Sequence, residues 1–127
     1  MKYLFFLVAI LFNLFAYAQY AGSQLILCNS ANKSNCDSVT RISEFKMNQG
    51  SAHVCCIIKG IFNTSSIKMR IRLRHHSDVE FTVSDYVPSD TRTCVYQDIL
   101  IWNRGKHEIE LLDDKGARIL IESFVVH

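Results

Sequence analysis

From Ser66 to Arg74 every second residue is apolar: Ile67, Met69, Ile71 and Leu73 alternate with Lys68, Arg70, Arg72 and Arg74. Successive side chains of a strand point to opposite faces, so this run predicts a half-buried antiparallel strand; a helix would scatter both sets around its axis. Burial of the four apolar side chains is worth roughly 6 to 12 kcal/mol gross, an upper bound because the unfolded chain already hides part of them. After the polar break His75-His76-Ser77-Asp78 the alternation resumes with Val79, Phe81 and Val83. If the two segments form a hairpin, an odd loop such as His76 to Asp78 keeps both apolar sets on one face. Glu80 would then lie near Arg74.

The same reading extends to both sides. Asn103-Arg104-Gly105 and Asp113-Asp114-Lys115-Gly116 are turn sequences, and they bound a predicted hairpin of His107 to Leu112 and Ala117 to Val126, with Ile109 and Leu111 inward. Ser51 to Ile61 (SAHVCCIIKGI) is a continuous apolar run rich in β-branched residues, which fits a central strand. Gln24 to Cys28, Val39 to Phe45 and Val95 to Trp102 are further candidates. Six to eight short strands, with no long amphipathic helix and no repeat or linker between residues 19 and 127, predict one all-β domain built as an antiparallel two-sheet sandwich.

The N-terminus reads differently. Met-Lys precedes an apolar run from Tyr3 to Phe15, followed by Ala16-Tyr17-Ala18 and Gln19. Charge, greasy core and a small-x-small ending are the order of a cleaved secretory signal over residues 1–18. A run of roughly 13 apolar residues is short of the roughly 20 that span a bilayer as a helix, and no later stretch approaches that length. An exported protein, periplasmic or extracellular, with no transmembrane segment in its mature part is the expectation.

Composition adds limits. The 127 residues are 49% hydrophobic with one Pro and five Gly, which excludes collagen-like and low-complexity chains. Fourteen Lys and Arg against twelve Asp and Glu give a formal charge of +2, too small to mark a nucleic-acid binder. All five cysteines, Cys28, Cys36, Cys55, Cys56 and Cys94, follow the signal, where an oxidising compartment permits disulfides. Five is odd, so at least one thiol is free or pairs with another chain. A Cys28 to Cys36 bridge would staple the polar loop between them, and a bridge from Cys55 or Cys56 to Cys94 would close a ring worth about 4 kcal/mol of chain entropy. Cys55 and Cys56 are adjacent on a strand and point apart, so at most one of them meets a core partner.

The last sixty residues carry a resemblance. SIKMRIRL, VEFTV, TRTCVYQDI and NRGKHEIELLDDKGARILIESFVV look like the second half of immunoglobulin-like sandwich domains of exported bacterial proteins. They resemble in particular a bacterial domain family of unknown function, which closes on Gly-x-aromatic-x-Val-x-Val-x-Asp-x-x-Gly-x-x-Leu and a Phe-x-Val ending. Gly105, Ile109, Leu111, Asp113, Gly116, Ile119 and Phe124-Val125-Val126 match that pattern, and His107 stands at its aromatic position. The resemblance implies an immunoglobulin-like fold and an extracytoplasmic address, and brings no catalytic residues.

Candidate chemistry is sparse. The sequence has no HExxH, Gly-x-Ser-x-Gly, P-loop, dinucleotide or CxxC motif. His75-His76 with Asp78 and Glu80 could be read as a metal loop, but adjacent histidines on an extended segment point apart, so a solvated turn is the simpler account. A thiol and imidazole pair from Cys55 or Cys56 with His107 has no local support. Glu108, Glu110, Asp113 and Asp114 could be paired acids for glycoside cleavage; a wet strand face and a turn explain them more simply. Asn32-Lys33-Ser34 and Asn63-Thr64-Ser65 match glycosylation sequons. What remains is the basic stripe Lys68, Arg70, Arg72 and Arg74 with the adjoining His75 and His76. A cation every roughly 6.5 to 7 Å could follow an anionic polymer or lipid head groups, although a wet sheet face or an edge strand carries such charges anyway. The expectation is a non-enzymatic binding module without cofactor or metal, its partner another protein or an anionic envelope polymer and not nucleic acid. An exported inhibitor or immunity protein that blocks a hydrolase or toxin is the alternative, with a small hydrolase behind it.

Overall fold

A computed structural model describes residues 22–29, 36, 39–73 and 78–127. The expected signal segment, and Arg74, His75 and His76, lie outside the described residues. Eight strands occur in chain order: β1 (Gln24–Cys28), β2 (Glu44–Phe45), β3 (Ala52–Gly60), β4 (Lys68–Leu73), β5 (Val79–Thr82), β6 (Thr93–Ile101), β7 (Gly105–Leu112) and β8 (Arg118–Val126). The described residues contain no helix. One sheet has the order β1-β3-β6 and the other β2-β8-β7-β4-β5. All neighbours are antiparallel except β2, which runs parallel to β8.

The two sheets share one core. Leu25 and Leu27 of β1, Val54, Cys56 and Ile58 of β3, and Val95, Ile99 and Ile101 of β6 face Met69, Ile71, Ile109, Leu111, Phe124 and Val126 of the second sheet. The period-two pattern is what makes this layering possible, because each strand delivers its alternate residues to a single interior. Phe45 and Phe124 meet edge to face at 5.7 Å, the spacing that aromatic quadrupoles favour. The hairpin of β4 and β5 pairs Ile71 with Val79 and Met69 with Phe81, so the intervening residues are odd in number, as the alternation requires.

The segment Val39 to Phe45, expected to be a strand, is one only at Glu44–Phe45. It crosses between the sheets. The N–H of Ile42 donates to Leu27 of β1 while the carbonyl of Ser43 accepts from Val125 of β8. Arg41 makes the same crossing with its side chain, donating to the Leu25 carbonyl and, at 2.8 Å, to Glu122.

β3 is buried on both faces, which explains its uninterrupted apolar run. Its even positions enter the shared core. Cys55 and Ile57 turn outward with Ile26 and Cys28 of β1, and Cys36, Val39 and Tyr96 pack over them. The cover is tied down by a disulfide between Cys36 and Cys94, with Cα atoms 6.5 Å apart. Closing a ring across 58 positions contributes about 4 kcal/mol in the chain-entropy account. Neither expected bridge forms, and Cys28, Cys55 and Cys56 are free thiols. The register explains one of these differences. Cys55 pairs with Asp98, four residues along β6 from Cys94, so the two are separated by about 13 Å along the strand and no disulfide can span that. Cys56 faces the opposite side, into the core.

Gly60 ends β3 with φ 138°, and a Cβ there would stand 2.7 Å from the Cα of Ser23. Backbone, not a flexible side chain, blocks the space. Gly60→Ala is therefore expected to lower the unfolding free energy by more than about 1 kcal/mol, read as an earlier midpoint in urea with unchanged slope. An unchanged midpoint would show that β1 is not held against this turn.

Candidate functional site

Lys68, Arg70 and Arg72 occupy alternate positions of β4 and share the outer face of the five-stranded sheet. The strands on either side decide what this row can do. β7 places Glu110 opposite Arg70 and Glu108 opposite Arg72, and β5 places Glu80 opposite Arg70. Lys68 lies 3.9 Å from Glu80, Arg72 lies 3.7 Å from Asp78, and Arg70 donates to Glu110 at 3.2 Å. Each described cation of the stripe thus has an acid at hand, and Glu80 meets Lys68.

Glu110 is the centre of this arrangement. The side chain is fully buried in the middle of β7, which the wet-face reading did not anticipate. Arg118 of β8 donates its Nε–H to Oε2 at 2.8 Å, Arg70 donates to the same oxygen, and Arg72 Nε stands 2.7 Å from Oε1 as an ion pair without the alignment of a hydrogen bond. Burial by itself would raise the carboxyl pKa. The hydrogen bonds from Arg118 and Arg70, with their charges, outweigh it and hold the group below the usual carboxylate range. Arg70 is correspondingly shifted up, chiefly by its hydrogen bond to Glu110.

Beside this cluster an open groove of about 830 Å³ crosses the outer face from β2 to the start of β5. Glu44, Lys106, Glu108, Arg72 and Asp78 line it, so acids and bases alternate across its width. Beneath the groove, on the inner side of the sheet, the His107 ring packs on Phe124 with centroids 5.2 Å apart. His107 Nε2–H donates to the Asn103 carbonyl at 2.8 Å, while buried Nδ1 has no partner. With Nε2 bonded to Asn103 and Nδ1 without a partner, the imidazole is paired with neither Cys55 nor Cys56, so the thiol and imidazole pairing is not assembled.

The remaining acids serve turns. Asp113 Oδ1 accepts the N–H groups of Lys115 and Ala117. Asp114 accepts from the Ser65 hydroxyl at 2.8 Å and from its N–H, contacts that lower its pKa, and the Asp114 N–H donates to Thr64. Asn63 of the second sequon is exposed on the loop that these bonds fix; Asn32 lies outside the described residues. Among the described residues no three His, Cys, Asp or Glu gather as metal ligands, and no helix is long and apolar enough to cross a membrane. The thiols are all shifted up by burial, Cys55 to about 12. A thiol so poorly ionised is a poor nucleophile.

Sequence reasoning missed three features of this surface: the burial of Glu110, the groove residues Glu44 and Lys106, and the exposed Leu100 and Trp102 at the end of β6. Only the pairing of β7 between β4 and β8 brings three guanidinium groups over one carboxylate, and local alternation carries no record of it. Comparison with protein-family models and with curated proteins finds no match for this chain.

The buried carboxylate gives a test. Glu110→Gln removes the carboxylate that Arg70, Arg72 and Arg118 share, and since those arginines keep part of their surface in water and Arg72 keeps Asp78 at 3.7 Å, the expected loss is about 2 to 3 kcal/mol at neutral pH. The folded-state pKa is lowered, so this stabilisation is complete above the ordinary value of 4.5 and disappears as pH falls through the lower folded value. Urea titrations of the two proteins should therefore converge on acidification. Parallel curves down to acid pH would mean that Glu110 is not ionised in the fold.

Proposed function

We propose that this chain is an exported, non-enzymatic binding module of immunoglobulin-like type, and that it holds another protein across the outer face of its five-stranded sheet. The strand order supports the fold type. Lettered in chain order, β1, β3 and β6 correspond to strands A, B and E of such a sandwich, and β8, β7, β4 and β5 to G, F, C and C′, with β2 added beside G. The disulfide departs from the antibody arrangement, since it ties the segment after β1 to β6 and not β3 to β7. A Cys36–Cys94 bridge is in keeping with an oxidising compartment, as the signal-like N-terminus also suggests.

The observation that carries the binding reading is the groove. Its alternating lining of Glu44, Lys106, Glu108, Arg72 and Asp78 offers both signs of charge within one depression. A polyanion would meet three carboxylates there for two cations, and the described cations of the stripe, Lys68, Arg70 and Arg72, are already engaged by Glu80, Glu110 and Asp78. A protein surface with complementary charges of both signs satisfies such a lining, and the pattern would fix its register. An anionic polymer or lipid surface is thereby the weaker partner.

Two experiments follow. N-terminal sequencing of the protein made in its own producer should begin at Gln19; protein that keeps Met1 and stays in the cytoplasmic fraction would remove the exported reading. In affinity capture, wild type should retain a partner that Lys106→Glu loses, while Lys115→Glu on the distant β7–β8 turn leaves it bound. Equal capture by both variants would move the interface elsewhere. Co-sedimentation with anionic vesicles, abolished by Lys106→Glu, would replace the protein partner with a lipid surface.

A further inference from the structure

Cys28 and Cys55 are direct partners across the β1–β3 ladder. Facing residues of an antiparallel pair have Cα atoms about 4.5 or 5.5 Å apart, and both spacings fall within the roughly 4.4–6.8 Å that disulfides occupy. The side chains share the outer face of the sheet, with Ile26 and Ile57. The Cys28 thiol donates to the Cys55 carbonyl at 3.4 Å, so its sulfur already sits over the neighbouring strand. Cys56, one residue on, enters the core on the other side and cannot compete.

From this geometry we infer that Cys28 and Cys55 form a second, cross-strand disulfide when the chain folds in the presence of a disulfide oxidant, leaving Cys56 as the odd thiol. With glutathione disulfide as the oxidant, the Cys28 thiolate attacks one of its sulfurs and releases a glutathione thiolate. The Cys55 thiolate then attacks the Cys28 sulfur of the mixed disulfide and releases the second. Two electrons pass to glutathione disulfide, and the two thiol protons end on the two glutathiones.

Timing follows from the packing. Cys28 and Cys55 are 1% and 3% exposed, and Cys36 and Val39 lie against them. Burial also holds both thiols largely protonated, which slows attack once the fold is closed. The inner pair therefore closes before the Cys36–Cys94 tie settles over it, and the native one-disulfide protein resists further oxidation. The result is a module with two covalent states: one bridge when it folds under reducing conditions and is oxidised late, two when an oxidant is present from the start.

The test refolds the reduced chain in a mildly alkaline glutathione redox buffer, then alkylates it under denaturing conditions and maps its peptides. The expected product carries Cys28–Cys55 and Cys36–Cys94, is alkylated on Cys56 alone, and is two hydrogens lighter than the one-disulfide protein. It should also melt higher. Native protein in glutathione disulfide with sub-denaturing urea provides a second arm that does not depend on refolding yield. Cys56→Ser should retain the new bridge, and Cys55→Ser should leave Cys28 open to alkylation. Molecules that regain Cys36–Cys94 yet alkylate on Cys28, Cys55 and Cys56 in both arms would overturn the inference, as would a Cys28–Cys36 linkage.

Discussion

A carboxylate with no exposed surface is tolerated only if cations are folded in with it, and Glu110 imposes that condition on three strands at once. Arg70 and Arg72 come from β4 on one side and Arg118 from β8 on the other, so the order β8-β7-β4 is written into one ion cluster. A slip of one residue between β4 and β7 would turn the apolar sets outward and Glu110 into the core. The register is therefore doubly specified, by burial on one face and by charge on the other. The same cluster shapes the outer surface, since cations held by a buried acid are spent as ligand for anything outside.

The other sheet meets a different constraint. Among the described residues it has three strands and so one central member, and β3 carries apolar residues on both sides. Its inner side is covered by the second sheet. Its outer side has to be covered by the chain itself, and Cys36, Val39 and Tyr96 supply that cover. A short segment with few apolar residues gains little by burial alone, so a covalent tie to β6 does what packing cannot. The Cys36–Cys94 tie and the two-faced β3 are thus consequences of one narrow sheet.

The strands were legible in the sequence because alternation is a local signal: Ile67, Met69 and Ile71, Ile109 with Leu111, and the turn at Asp113 to Gly116 all stand where the pattern puts them. The two-sheet arrangement followed from their number. Pairing was not legible, and each difference traces to it. Spacing alone allows Cys94 to meet Cys55 or Cys56 because it carries no strand register, and it puts Glu110 on a wet face because the neighbours on β4 and β8 come from forty residues earlier and eight later. Val39 to Phe45 looked like a strand from its composition, but its backbone divides its hydrogen bonds between Leu27 and Val125 on separate sheets. Of the surface, the stripe could be placed on one face from sequence alone; the acids that answer it could not.

One feature of β6 matters beyond the isolated molecule. At nine residues it is as long as any strand in the chain, and among the described residues only its β3 side is paired. No described strand pairs with the opposite side, and Leu100 and Trp102 stand exposed at its end. Proteins usually blunt such a border with charge, brevity or a covering loop, because it is a template for strand addition between copies. Here Cys94, near the start of β6, is bonded to Cys36, so the disulfide that ties the cover onto the small sheet also holds Cys36 beside this border. Reducing it would do more than loosen a loop: it would free that border for intermolecular β-pairing, the first step from a folded monomer toward an aggregate.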